Sequence, residues 1–332
     1  MKKILVALIL LVSLSSCQKE YSEQFVAYSS NPLNTDTTWR VSNSTNDAVN
    51  LIIPALFNAP MLDSFDVVTG GELHFPDNLL VTFPPHSCTG PSGAAINGKI
   101  RVEFTYLRKK GDFIRYAKPT TSYNYLLQTG GSFNVVLTQN GYPVFLAPNI
   151  SYKIKYRNPA PSTDMKFFYE DLWVVNNDTT ATWVSAINTQ MPYGTVSIWQ
   201  QYDTLTQSII KGYEITSTRL HWINCDFFND TTQPYTRMNV SLPLNFTNVN
   251  TNVYVVFKNK NIVGGLNSDF ASKTFFYSRI PIGSDVTLVS VSKIGNDYYL
   301  GKKEATVNNA NLISVNPEPK SLADISNYLN SL

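Results

Sequence analysis

Ile100-Arg101-Val102-Glu103-Phe104-Thr105-Tyr106 decides the fold class. Its even positions are apolar or aromatic and its odd positions polar, the period of two shown by a strand with one face buried and one wet. Ile150 to Arg157 repeats it, setting Ile150, Tyr152, Ile154 and Tyr156 against Ser151, Lys153, Lys155 and Arg157. Weaker versions run over Ser132 to Gln139, Asn252 to Lys258 and Asp285 to Ile294. Turn signals punctuate these runs: Gly70-Gly71, Gly130-Gly131, Asn140-Gly141, Gly264-Gly265 and Gly295-Asn296-Asp297. Asn140-Gly141 is the sharpest, because a type I′ hairpin turn needs positive φ at both central residues. Many short strands between turns make an all-β chain, arranged as a sandwich or barrel.

Composition agrees with that reading. Aromatic residues reach 13%, mostly Tyr and Phe, which suit pleated surfaces, and alanine-rich helical stretches are missing. One helix stands out, at the C-terminus. Pro317 and Pro319 break the preceding strand, Ser321 caps, and Asp324 completes a capping box. Leu322, Ile325, Leu329 and Leu332 then form an apolar stripe, expected to lie against the second of two domains. The organisation that follows is two antiparallel β-sandwich domains in tandem with a short C-terminal helix. The first sandwich spans 61–160, a connecting segment 161–210, and the second sandwich with its helix 211–332. The boundary is placed where polar stretches such as Asn176-Asn177-Asp178-Thr179-Thr180 interrupt the strand pattern. No repeat of solenoid or propeller period is present.

The amino end carries an address. Met1-Lys2-Lys3, the apolar run Ile4 to Val12 and the small residues before Cys17 make residues 1–16 a secretory signal. The run is too short to stay in a bilayer as a span. Leu14-Ser15-Ser16-Cys17 resembles the bacterial lipobox, which implies that the Cys17 thiol is acylated and becomes the first mature residue. The resemblance implies a diacylglycerol and usually a third chain, and two or more chains hold a protein stably in its membrane. Gln18 stands where enteric bacteria place the aspartate that retains lipoproteins at the inner membrane, so the outer membrane is the expected location. Lys19-Glu20, followed by Glu23, resembles the charged start that sends lipoproteins of the Bacteroidota to the cell surface. Residues 17–60 then read as a tether, rich in Ser, Asn, Thr and Asp from Ser29 to Asn50. Trp39 and Leu51-Ile52-Ile53 imply that its second half docks onto a domain.

Two further stretches look familiar. Leu79-Leu80-Val81-Thr82-Phe83-Pro84-Pro85, a glycine-containing loop and Gly98-Lys99-Ile100-Arg101-Val102 resemble the sandwich module of ankyrins and netrin receptors. Leu127 to Val135 and Asn140-Gly141-Tyr142-Pro143-Val144-Phe145-Leu146 are similar to segments of Bacteroidota surface lipoproteins with carboxypeptidase-regulatory-like domains. The resemblance covers roughly residues 65–157 and implies a non-catalytic interaction or assembly module. Some relatives of the ankyrin-type module cleave themselves at a His-Phe-Ser step. Here the step reads His74-Phe75-Pro76, and proline offers no nucleophile.

Chemical motifs are sparse. His74, His86 and His221 lie far apart with no metal-binding spacing, and no cofactor is expected. There is no Gly-x-Ser-x-Gly elbow and no phosphate-cradling Gly-Lys-Ser/Thr loop. Within His86-Ser87-Cys88, neighbours on an extended chain point to opposite faces and are poor partners. Charge is nearly balanced, at a formal +2, and lacks the basic stripe that nucleic acid requires. The one basic cluster, Arg108-Lys109-Lys110-Gly111-Asp112, reads as a solvated hairpin tip. Cys88 and Cys225, assigned to separate domains, read as two buried thiols rather than a disulfide. No catalytic residue is identified, although a glycosidase-type carboxylate pair stays open.

The candidate ligand face comes from Leu220-His221-Trp222-Ile223-Asn224-Cys225-Asp226-Phe227. Alternation puts Trp222, Asn224 and Asp226 on one face, with Ile223, Cys225 and Phe227 toward the core. An indole beside an amide and a carboxylate suits a sugar platform. The alternative is that Trp222 covers a gap between the domains while Asn224 and Asp226 satisfy nearby backbone groups. The expected function is a surface- or outer-membrane-anchored interaction or adhesion protein that binds a protein or glycan ligand without turning it over. The alternative is a carbohydrate-binding or glycan-processing component of a surface nutrient-uptake system.

Overall fold

The structure, a computed structural model, describes residues 37–175, 178–186, 193–204, 207–229, 232–309 and 312–332. Cys17, the signal segment and the first part of the tether lie outside the described residues. Helix α1 (Ala48–Leu56) precedes β1 (Met61–Asp66), β2 (Gly71–Phe75), β3 (Leu79–Phe83), β4 (Cys88–Thr89) and β5 (Lys99–Leu107). A short helix α2 (Lys110–Arg115) leads to β6 (Thr121–Ser122), β7 (Tyr125–Gln139), β8 (Tyr142–Pro143), β9 (Phe145–Leu146) and β10 (Tyr152–Arg157). β11 (Lys166–Val175), β12 (Asp178–Ser185), β13 (Gly194–Asp203), β14 (Ser208–Ser217) and β15 (His221–Phe228) complete a first sandwich. One sheet follows the path β1-β5-β7-β15-β11-β12, and the other runs β13-β14-β10-β3-β2.

The second sandwich contains β16 (Tyr235–Ser241), β17 (Thr251–Phe257), β18 (Val263–Gly265), β19 (Asn267–Asp269) and β20 (Thr274–Pro281). β21 (Asp285–Ile294), β22 (Asp297–Thr306), β23 (Leu312–Ser314), β24 (Glu318–Pro319) and helix α3 (Leu322–Asn330) follow. Its sheets run β19-β20-β16-β23 and β18-β17-β21-β22-β24. Pairing is antiparallel throughout, except that β23 lies parallel to β16. The chain is therefore all-β, as the alternation requires.

The decisive stretch behaves as read. Ile100, Val102 and Phe104 are fully buried, and Tyr106 stacks on Phe133 with centroids 4.8 Å apart. Tyr152, Ile154 and Tyr156 face them from the opposite sheet in the same core. Asn140 and Gly141 both take positive φ, 52° and 83°, and turn β7 into β8.

Several readings need correction, among them Gly264-Gly265, which lies inside β18 and is not a turn. The chain over 161–210 is not a connector. It holds β11, β12 and β13 and part of β14, and with β15 these strands pair into the first sandwich, which extends to residue 228. The start of β11 is buried on both faces, with Phe167 and Tyr169 in the inner core and Phe168 in an outer cluster, so it shows no alternation there. Gly130-Gly131 lies inside β7 and is not a turn; Cys225 to Asp226 opposite it carries the register shift of a β-bulge. A Cβ at Gly131 would sit 2.7 Å from the Tyr106 ring, so the packing leaves no room for a side chain. The basic cluster opens α2 instead of tipping a hairpin. The Asp112 carboxylate accepts the backbone N–H groups of Arg108 and Lys109 at 3.1 and 2.9 Å. Lys109 donates to the Asn330 carbonyl, and Lys110 to the carbonyls of Phe257 and Lys258.

The two sandwiches share buried surface. One cluster joins Leu107, Phe113, Ile114 and Tyr116 of the first to Tyr254, Val256, Val289 and Leu300 of the second. Val49, Ile52 and Leu56 of α1 and Ile325 and Leu329 of α3 fill the same cluster. The capping box of Ser321 and Asp324 forms, with Asp324 N–H donating to Ser321 Oγ at 3.1 Å. The helix thus packs at the junction, against α2 as well as the second sandwich. Residues 36–332 accordingly form one compact unit.

Candidate functional site

β15 is central to the site, because both its faces are buried over Ile223–Asp226 while Trp222 reaches an open groove. Ile223 and Cys225 enter the core of the first sandwich, as alternation demands. Cys88 is buried in that same core, and both cysteines are free thiols. Their placement in separate domains is therefore corrected. Burial pushes both thiols up from the ordinary cysteine range.

Trp222, Asn224 and Asp226 do share the other face, but it is not an open platform. Asn224 and Asp226 are 0% exposed. Thr129 on the paired strand donates its hydroxyl to Asn224 Oδ1 at 3.2 Å and accepts the Gly131 N–H at 3.0 Å. Asn224 Nδ2 donates to Asp226 Oδ2 at 2.5 Å. Asn261 of the second sandwich brackets Thr129 from outside, donating to its carbonyl at 3.0 Å. Asp226 Oδ1 has no hydrogen-bond partner among the described residues, and burial holds this carboxyl well above the usual carboxylate range. The pair thus belongs to the buried seam and not to a ligand surface.

Trp222 is different. It is half-buried and lines a groove of about 350 Å³ on the outer face of the large sheet. Phe57 and Tyr116 stack with centroids 4.6 Å apart and planes 15° from parallel. Tyr116 meets Trp222 edge-on at 5.9 Å. The Tyr116 hydroxyl donates to the Asn58 carbonyl at 2.8 Å, and burial raises its pKa, so the phenol stays neutral. Lys118 lies 5.2 Å from the Trp222 ring centre and is ion-paired to Glu170. Glu103, the carboxylate among the lining residues, is held by Arg101 at 3.1 Å. Both charges in the groove are thus already compensated. Asn134 also lines it, and its Oδ1 is buried with no hydrogen-bond partner among the described residues.

No family model matches the sequence, and no curated protein matches it significantly. The geometry of the groove therefore carries the functional reading.

Sequence reasoning found Trp222 and missed Phe57, Tyr116, Lys118 and Asn134. Phe57 follows the docked half of the tether, and Tyr116 and Lys118 follow a helix too short to leave a periodic signal. Asn134 was visible only as a polar position in the strand from Ser132. Among the described residues no cluster of His, Cys, Asp or Glu is arranged to hold a metal ion. No described helix is long and apolar enough to cross a membrane.

Proposed function

We propose that this chain is a lipid-anchored, non-catalytic binding protein of the outer membrane that captures carbohydrate in the Trp222 groove. The carrying observation is the conjunction of three aromatic side chains, Phe57, Tyr116 and Trp222, along one groove. Aromatic faces take the apolar C–H side of a sugar ring. The compensated charges of Lys118 and Glu103 favour a neutral sugar over an ion. Glycosidic cleavage uses a pair of carboxylates, and Glu103 is the single one among the residues lining the groove. The volume lies in the ordinary range for small-ligand sites, about 300–1,000 Å³, and suits one or two sugar units. The anchor rests on Leu14-Ser15-Ser16-Cys17, and the resemblance of residues 65–157 to non-catalytic surface modules points the same way.

The test is a glycan array followed by calorimetric titration. Trp222→Ala is expected to weaken binding of array hits by about tenfold or more, the loss of one good stacking contact, while the melting temperature falls by only a few degrees. A large drop in melting temperature with unchanged binding would make Trp222 a packing residue and overturn the reading.

A further inference from the structure

A second cleft, sharing no lining residue with the Trp222 groove, has the opposite electrostatic character. It measures about 530 Å³ and lies between the turn at 76–78, the end of β10 and the start of β14. Arg108, Arg157 and Lys211 line it against a single carboxylate, Asp77. Arg108 and Asp77 pair at 3.1 Å, both largely in solvent. Arg157 and Lys211 are exposed, and neither makes an ion pair or side-chain hydrogen bond among the described residues. In a chain of nearly balanced charge, two unpaired cations lining one cleft are a local excess.

Their spacing is fixed by backbone. Arg157 lies opposite Gly212 in the β10–β14 ladder, and the Asn158 N–H donates to the Lys211 carbonyl at 2.9 Å. Gly212 allows the close approach, since a Cβ there would stand 1.9 Å from the Tyr156 carbonyl oxygen. Trp199 donates its indole N–H across that glycine to the carbonyls of Tyr156 and Tyr213, at 3.2 and 3.1 Å. Arg157 therefore leaves this stiff ladder on the face it shares with Gly212, and Lys211 on the other face, and both reach the cleft where β10 ends. Beside them Pro159, Ile209 and Ile210 supply an apolar wall, with Ile209 59% exposed.

We infer that this cleft binds an acidic sugar, with the sulfate or carboxylate held by Arg157 and Lys211 and the ring face against Ile209 and Pro159. A guanidinium fork matches a planar or tetrahedral oxyanion, and an ammonium beside it adds a second charge-assisted bond. The apolar wall distinguishes a sugar acid from a bare ion, which would use only the charges.

The experiment titrates the whole mature chain with glucose 6-sulfate, glucuronate, glucose and inorganic sulfate at low salt, read by calorimetry. Glucose 6-sulfate or glucuronate is expected to bind saturably in the millimolar range or tighter, and glucose not at this cleft. Arg157→Ala/Lys211→Ala should cut that affinity by about tenfold or more, the loss of two charge-assisted contacts. Both side chains are exposed, so the melting temperature should hold. Asp77→Asn is expected to tighten binding about threefold by removing the competing carboxylate from Arg108. Asparagine tolerates the left-handed backbone at this position, where φ is 63°. No saturable binding of either sugar acid would overturn the proposal. So would inorganic sulfate binding as tightly as the sugar acids. Binding that survives the double substitution but is lost in Trp222→Ala would place the sugar in the other groove and overturn it equally.

Discussion

Among the described residues, Asp226 has no cation to balance a charge. The unfolded chain releases its proton from about pH 4 upward, whereas the folded chain keeps it, because burial holds the carboxyl far above that range. The unfolded state therefore binds fewer protons, and stability falls as pH rises above about 4 and continues to fall until the folded carboxyl itself ionises. Asparagine at 226 imitates the protonated acid: its oxygen can still accept from Asn224 Nδ2. Asp226→Asn is thus expected to melt like the parent near pH 4 and progressively above it toward pH 8. Parallel thermal melts across that range decide the matter, and a constant offset at every pH would contradict it. The sequence showed which face of β15 Asp226 occupies, since alternation was enough for that. It could not show that the face is covered, because Asn261 lies 35 positions further on and a buried acid has the same letter as an exposed one.

At the scale of elements, the meeting of α2 and α3 depends on one glycine. A Cβ on Gly111 would stand 1.8 Å from the Leu329 carbonyl oxygen, a backbone atom that no rotamer change can move. Gly111→Ala must push α3 off the junction and open contacts around Phe113, Ile325 and Leu329. Overpacking of this kind costs about 1–3 kcal/mol. The melting temperature is expected to fall by roughly 5 °C, with Lys109 losing its bond to Asn330, and an unchanged melting curve would show that the helices can part freely. Strands with one dry face, such as β5 and β10, were legible because burial there is one-sided. β11 and the glycine-bearing middle of β7 were not: two-sided burial removes the period, and a bulge glycine reads like a turn glycine. The C-terminal helix was legible from its cap and stripe, while α2 offered only six residues and charges that also suit a turn.

The whole molecule is two sandwiches joined by a common core, so it is expected to unfold in one calorimetric transition. Phe113→Ala, which opens a cavity in that shared cluster, should lower the entire transition by about 3 kcal/mol or more; two separated peaks would show lobes that melt independently. The anchor belongs to this scale as well. Cys17→Ser is expected to move the protein from the membrane pellet to the soluble fraction, and a variant that still sediments with outer membranes in detergent-free lysates would remove the lipoprotein reading.

The segment nearest that anchor also builds the groove. Trp39 packs on Phe275 at 5.2 Å, Arg40 and Asn43 bond to Asn248, and α1 is tied to Val249 through the Val49 N–H. Phe57, Asn58 and Pro60, at the far end of the same stretch, form one side of the Trp222 groove. Tension between a tethered cell and a captured glycan would load this stretch first. Residues 37–60, once peeled away, would pay out roughly 80 Å of slack, and the grip would lose one jaw in the same event. On the proposed function, release of the sugar in single-molecule stretching from the amino end should coincide with that first extension, since leash and clasp would be one piece of chain.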